Sequence, residues 1–507
     1  MSARSLAALL LAVASPVGAT EAPELPVEEL RLANGMKWLL FERHEAPTVA
    51  AGWMARVGSA NERPGITGLS HFFEHMMFKG TRAIGTTDID ADLELIDEQE
   101  IVRAAMREEL ARMRERLRRG EIDDLGRPES RTERYRELER RFDELVKRQR
   151  ATIVKDQLDQ IYTRNGGEFL NAGTDEDATL YFVRLPRNRL ELWCWLESDR
   201  LLNPVFREFY SERDVVFEER RLRTEATPLG RFEEEFQALF WQAHPYQWPV
   251  VGWASDIPAY TLAQAKEYFA TYYAPNNLTG ALVGDFRSAA VKPLLERYFG
   301  RLPRGKVDPP EVVTLEPRAL GEKRYHAEAD TSPTVRVWWQ GVPFVHKDRA
   351  ALDLLSGLLS GRTGRLFKGL VLGRRVANQA FAFADFKKHA GIFGVEVTVK
   401  DGQGPAAAEE AVYAELERLK NEPVPDEELL KVKNQEKAAA YRRLLQPLSI
   451  MQRLLVYDAL GDWRYLGTAA LETDAVTAAD VQRVAREYLA PDARTVGVFR
   501  RKGDPGR

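Results

Sequence analysis

The chain is 507 residues long, which at a typical ~150 residues per domain calls for more than one domain. Its 73 basic and 77 acidic residues leave a net charge of −4, which excludes the basic excess of a nucleic-acid binder, and its 44% of apolar residues excludes global disorder. A lone cysteine, Cys194, excludes an internal disulfide, and its apolar neighbours in LELWCWLESD place it as a buried thiol.

The first segment, MSARSLAALLLAVASPVGAT, has a positive charge at Arg4, an apolar run from Leu6 to Val13 and small residues at Val17-Gly18-Ala19. That order reads as a secretory signal peptide over residues 1–19, cleaved near Ala19. No later stretch is apolar enough to cross a bilayer. Export of a chain without cysteine pairs suits a bacterial periplasm.

Strand-like runs follow in KWLLFE and TVAAGWMARV. Then comes LSHFFEHMMFKGT, in which His71 and His75 are four residues apart with Glu74 between them. On a helix, positions i and i+4 share a face, so both imidazoles can reach one ion. Glu74 lies near that face. Two imidazoles beside a carboxylate supply a zinc pair and a general base, in the order HxxEH. A zinc hydrolase needs a third protein ligand, and spacing alone does not choose it among the many acidic residues.

Residues 97–160 are dominated by Arg and Glu. Apolar positions recur at Val102, Met106, Leu110, Met113 and Leu117, then at Tyr135, Leu138, Phe142 and Leu145. Steps of three and four give one narrow apolar stripe per helix, and Gly120 to Pro128 reads as a turn. The segment is expected to be an antiparallel helical hairpin, close to a coiled coil, with a solvated charged face.

The chain also repeats itself. YYAPNNLTGALVGDF at 272–286 is echoed by YLAPDARTVGVF at 488–499, and the strand opening at Pro47-Thr48-Val49 by Pro333-Thr334-Val335. The first echo is displaced by 333 − 47 = 286 residues and the second by 491 − 275 = 216, so the first half carries about 70 extra residues, the hairpin. Further strands (LYFVRL, LTGALVG, TVRVWWQG, FGVEVTV, TVGVFR) and helical patterns (261–272, 405–421, 426–444) predict an α+β fold. It consists of two homologous domains, each an antiparallel-rich sheet packed with helices. They span residues 24–310, with the hairpin at about 97–160, and 317–502, joined by the Pro-rich GRLPRGKVDPPEVVTLEP.

HFFEHMMFKGT followed by NAGTDEDATLYF, ERDVVFEE, HPYQWPVVG and YYAPNNLTGALVGDF resembles the pitrilysin or insulinase family of inverted-motif zinc peptidases, over nearly the whole chain outside the hairpin. The two-domain members, which include mitochondrial processing peptidase and its bacterial relatives, are the nearest in pattern. The resemblance implies that Glu219 in ERDVVFEE is the third zinc ligand, rather than the neighbouring Glu218, and that Glu212 orients the site. It implies that Glu74 is the catalytic base, and that Asn171 and Ala172 hold the main chain of an extended peptide. The family also uses an Arg and a Tyr from a later domain. Aligned on Arg365-Leu366-Phe367, this chain has Val371 and Asn378 there. That departure implies a homologous partner subunit, without zinc, that lends both groups. A zinc endopeptidase is the function expected. A non-catalytic assembly subunit on the same fold is the alternative, and a protein-binding module built on the hairpin is a third reading.

Overall fold

The computed structural model describes residues 25–503, so the signal-peptide reading of residues 1–19 lies outside the described residues. The first half runs β1 (Val27–Arg31), β2 (Lys37–Glu42), β3 (Thr48–Ala55), α1 (Leu69–Met76), α2 (Ile89–Arg118), α3 (Glu133–Arg150), α4 (Gln157–Arg164), β4 (Glu168–Thr174) and β5 (Thr179–Pro186). It continues with α5 (Leu190–Leu202), α6 (Phe209–Arg220), α7 (Gly230–Phe240), α8 (Leu262–Tyr272), β6 (Leu278–Gly284) and α9 (Ser288–Phe299). The second half holds β7 (Lys323–Ala329), β8 (Thr334–Gly341), α10 (Arg349–Leu359), β9 (Ala377–Phe386), β10 (Gly391–Val399), α11 (Pro405–Asn421), α12 (Asp426–Arg443), α13 (Pro447–Leu460), α14 (Tyr465–Ala475), α15 (Ala478–Tyr488) and β11 (Arg494–Arg501).

Two sheets form, in the orders β1-β2-β6-β3-β5-β4 and β7-β11-β8-β10-β9. With β1 set aside they match strand for strand. Each has one parallel pair, β2 with β6 and β7 with β11, and is otherwise antiparallel. The echoed segments occupy matching strands: the two Pro-Thr-Val runs open β3 and β8, and the two Ala-Pro runs lead into β6 and β11. The α+β class read from the sequence holds. The parallel pairs are the feature that local pattern does not reveal, because their strands lie more than 150 residues apart in the chain.

Alternation along β5 puts Tyr181, Val183 and Leu185 on the face that packs with α1, α5 and α8. At the centre of the same sheet, a Cβ on Gly280 would meet the Trp38 ring at 2.4 Å, so glycine there admits the indole.

The opposite face is covered from the other half of the chain. On α13, Ile450, Met451, Leu454 and Leu455 pack on Leu39, Ala50, Met54, Ala281 and Val283, each burial contributing roughly 2 kcal/mol. Met451 sits over Gly52, where a Cβ would be 2.7 Å from its sulfur. Asp458 of α13 accepts from Lys37 Nζ at 2.6 Å and from Thr279 Oγ1 at 2.8 Å. Reciprocally, α7 of the first half lays Phe232 and Phe236 on the second sheet. Phe232 meets Phe499 (ring centroids 5.0 Å) and Phe236 meets Trp338 (4.9 Å). Gly497 leaves room for them, since a Cβ there would lie 2.6 Å from the Phe232 ring. The halves thus exchange one helix each.

The Arg/Glu-rich segment is a two-helix hairpin whose first arm, α2, begins at Ile89 and runs unbroken for 30 residues. Val102, Met106 and Met113 of α2 and Leu138, Phe142 and Leu145 of α3 are buried. Its root is polar. Gln149 donates to Asp92 (2.8 Å), and Asp92 takes Arg207 Nε at 2.8 Å. The remaining Arg207 N–H groups donate to the carbonyls of Lys79, Thr81 and Ile84 at 2.7–3.0 Å. One buried guanidinium thus ties the hairpin root, the chain leaving α1 and the chain entering α6. None of the helices among the described residues is long and apolar enough to cross a membrane.

Candidate metal centre

Helix α1 has only eight residues and starts at Gly68, whose φ of 86° only glycine adopts cheaply. Its exposed amide donors are met by Glu62. The buried carboxyl accepts from Gly68 N and Ser70 N, both at 2.6 Å, which satisfies two of the donors left open at the helix N-terminus. Burial pushes the Glu62 carboxyl up to about 8, against the pull of those N–H bonds. Leu69, Phe72, Phe73 and Met76 anchor one side of the helix in the core. The other side presents His71, Glu74 and His75 to α6, their ring centroids 4.9 Å apart for the two histidines.

Glu219, in the last turn of α6, completes the group. Its Oε2 lies 3.3 Å from His75 Nε2 and its Oε1 3.8 Å from His71 Nε2. One ligand atom from each of the three residues lies within 4.8 Å of the others. With zinc–ligand bonds of about 2.0–2.2 Å, tetrahedral geometry separates neighbouring ligands by roughly 3.4 Å, so the donor set can hold such an ion. Glu218 faces solvent and pairs with Arg221 at 2.8 Å.

Glu212 lies two turns before Glu219 on the same face of α6. Its Oε1 accepts a hydrogen bond from His75 Nδ1–H at 2.9 Å, the tautomer that leaves the Nε2 lone pair for the cluster. Its Oε2 binds Lys79 Nζ at 2.5 Å. Burial depresses His71 to about 3, so its ring is neutral and free to coordinate. His71 Nδ1 is buried without a protein partner.

Glu74 stands beside the cluster and accepts from Thr174 Oγ1 at 2.8 Å. Burial raises its carboxyl above the ordinary range, opposed by that bond and by His75. Thr174 ends β4, the outermost strand of the first sheet. Asn171 of the same strand walls a cavity of about 390 Å³ together with Glu74, His75, Lys79, Glu208 and Glu212. Ala172, next to it, donates its backbone N–H to Asn171 Oδ1 at 2.9 Å.

Of the residues singled out in the sequence, His71, Glu74, His75, Glu212 and Glu219 gather in one cluster and Asn171 lines the adjoining cavity, whereas the Ala172 side chain packs against the core of the first half. Val371 lies partly buried against the core of the second half, and Asn378 is exposed on β9. Cys194 is buried and free. Sequence reasoning missed Glu62, Lys79, Thr174 and Arg223, whose guanidinium is 2.7 Å from Glu219 Oε1. Lys79 and Arg223 carried a usable signal, being four residues beyond His75 and Glu219 respectively. Glu62 and Thr174 gave none, since they reach the site from a turn and a strand end.

Comparison with known proteins gives a consistent answer. A family model described as Insulinase (Peptidase family M16) matches residues 38–99, and one described as Peptidase M16 inactive domain matches residues 259–436. The chain is similar to the zinc protease PqqE of Helicobacter pylori, with 27% identity over 481 residues covering 93% of this chain and 92% of the relative. It is also similar to a probable mitochondrial-processing peptidase subunit beta of Arabidopsis thaliana, with 23% identity over 487 residues, 92% of this chain and 77% of the relative. Among solved structures, a protease from Helicobacter pylori superposes with a TM-score of 0.76 at 25% identity, covering 93% of this chain and 99% of the other. The periplasmic protease PqqL from Escherichia coli shares the fold, with a TM-score of 0.68 at 16% identity over 95% of this chain and 48% of that one.

Proposed function

The chain belongs to the insulinase (M16) peptidase family, and on that footing we propose that it is a zinc-dependent endopeptidase acting on extended peptides or small unfolded exported proteins. The observation that carries this reading is the convergence of His71 Nε2, His75 Nε2 and a Glu219 oxygen within 4.8 Å, beside a carboxylate, Glu74, that is not itself one of the three. Zinc held by those three groups would polarise the scissile carbonyl and bring the pKa of a water towards about 7.

Glu74 is placed to act as the general base, and would take a proton from the attacking water and deliver it to the leaving amine. Its partial burial suits the first half of the task, because a raised pKa makes the carboxylate a better acceptor. Thr174 steers it through the 2.8 Å bond. Glu212 fixes the His75 ring, and Lys79 fixes Glu212 in turn. The free outer side of β4 takes the substrate as an added strand, with Asn171 and Ala172 beside the cluster. Main-chain pairing of that kind holds extended chains with little regard to sequence.

The active form pairs this chain with a homologous subunit that lacks the zinc group and supplies the Arg and Tyr for which Val371 and Asn378 stand here. The four domains together enclose a chamber that admits unfolded chains. Residues 1–19 direct export, and the periplasm is the working compartment. The rival, a non-catalytic assembly subunit, has no use for four converging metal-site residues. The deciding experiment is zinc analysis and peptide cleavage by the purified chain, alone and coexpressed with a homologue. The proposal expects one zinc per chain and cleavage that rises sharply with the partner. A chain that holds no zinc and cuts nothing in either state sinks the peptidase reading. Full activity alone, with no gain from the partner, sinks the pairing.

A further inference from the structure

The outer edge of the first sheet carries an irregularity that its own stability does not require. On β4, Glu168 faces Arg184 and Asn171 faces Phe182, so three steps on this strand match two on β5. The extra residue makes a bulge. Within it Phe169 has φ of 57°, one of four non-glycine residues at positive φ among the described residues. Glycine or asparagine takes that conformation readily, whereas a bulky aromatic is strained there. Nor is the ring sheltered, since Phe169 is 59% exposed. The Arg184 guanidinium lies over it at 4.7 Å and is itself paired with Glu168. A bulge alone suffices to blunt a sheet edge against chance pairing, and glycine would serve that end best. The choice of phenylalanine is left to be explained by something that covers the ring.

The position supplies the occupant. Phe169 is on the strand that reaches the candidate metal centre, five residues before Thr174, which holds Glu74, and two before Asn171, which walls the adjoining cavity. A peptide added antiparallel along 171–174 continues past the bulge. At about 3.3 Å per residue the ring stands roughly 7 Å along that path from Asn171 and, with one step taken up by the bulge, roughly 13 Å from Thr174 beside Glu74.

We propose that Phe169, turned out by the bulge and backed by Arg184, is a specificity-determining platform for a large apolar or aromatic side chain of the substrate. That side chain lies two to four residues C-terminal of the cleaved bond. The inference rests on the endopeptidase reading and narrows its substrates to extended peptides with such a residue on that side.

The test separates binding from turnover. In full-length chain carrying Glu74→Gln, binding of fluorescent Gly/Ser peptides with a single Phe scanned along them is measured by anisotropy. Peptides with Phe are expected to bind about tenfold tighter than the Phe-free peptide. Phe169→Gly in the same background brings all of them to the Phe-free level. Because glycine suits a positive φ, that variant keeps or raises the melting temperature, and Phe169→Leu retains part of the preference. With the wild-type chain, cut sites mapped by mass spectrometry fall two to four residues before the Phe, and Phe169→Gly scatters them. A folded Phe169→Gly chain with unchanged binding preference and cut sites overturns the platform. Preferential binding that Phe169→Gly abolishes, with no cleavage by the zinc-loaded wild type in the presence of its partner, upholds the platform and sinks the endopeptidase reading instead.

Discussion

The two halves of this chain build the same sheet, yet they treat charge beneath it differently. In the first half, α1 and α6 face each other with two imidazoles and three carboxylates, and nearly every one of these groups has a partner. His75 meets Glu212, Glu212 meets Lys79, and Glu74 meets Thr174. In the second half, α10 and α12 follow the matching strands. There α10 fills the interface with Leu352, Leu354, Leu355, Leu358 and Leu359. Two acids remain, the half-buried Asp353 and Glu436 facing it, and Asp353 is pushed up to about 6 by burial first and then by that neighbour. The scaffold is therefore indifferent to which side chains line the space between its helices. Chemistry needs a set of mutually satisfied polar groups, and an acid without such a set only weakens the fold.

The sharpest way to break this contrast is to remove a member of the set. His75→Ala or Glu219→Ala is expected to abolish stoichiometric zinc in the purified chain, measured by elemental analysis, and with it all peptide cleavage. Chelation of the wild type has the same effect and is reversed by zinc. Glu74→Gln is expected to keep zinc while kcat falls by about 10²–10⁴-fold, and a variant of normal kcat would remove Glu74 from the mechanism. Glu212→Gln keeps the shape but weakens the grip on His75, so zinc affinity in a chelator competition drops by about 10–100-fold.

The smallest effect belongs to the second half. A carboxyl whose folded pKa, about 6, exceeds its ordinary 3.8 is no burden below pH 4, and stability is lost as pH rises through 6. Asp353→Asn removes that loss. Above pH 6 the variant is expected to be more stable than the wild type by about 1–3 kcal/mol, with the difference vanishing below pH 4 in urea titrations. A gain that persists at pH 4 would mean that the asparagine acts through packing.

Much of this was legible in the residues themselves. The His71–His75 spacing is a local property of one helical turn, and the paired Ala-Pro and Pro-Thr-Val echoes mark strands that prove equivalent in both sheets. Glu219 was not legible by spacing, because its distance from the histidines is set by a fold that spans 144 residues of chain, hairpin included; only the resemblance of ERDVVFEE to a known family pointed to it. Thr174 and Glu62 act from a strand end and a loop, where no periodicity marks them. Nor could periodicity reveal the exchange of α7 and α13. A stripe such as Phe232, Phe236 and Phe240 says that a helix has an apolar face, not whose sheet it will cover. The bulge at Phe169 was equally hidden, since GGEFLNAGT reads as an unbroken strand until its register against β5 is seen.

The exchange of helices sets a timetable for biogenesis. The strands of the first sheet are complete once residue 284 has been made, but the helix that covers their far face ends at Leu460. Roughly 175 residues separate those points, about 10–35 s of synthesis at 5–20 residues per second. Throughout that interval the nascent first half carries a bare apolar face and cannot close. An exporting machinery that requires an unfolded passenger would find the chain still threadable when most of it has already been translated. Conversely, once α7 and α13 have crossed over, the covalent link between the halves is no longer what keeps them together. A protease nick in the exposed tether around Leu320 should leave both fragments bound in one native particle.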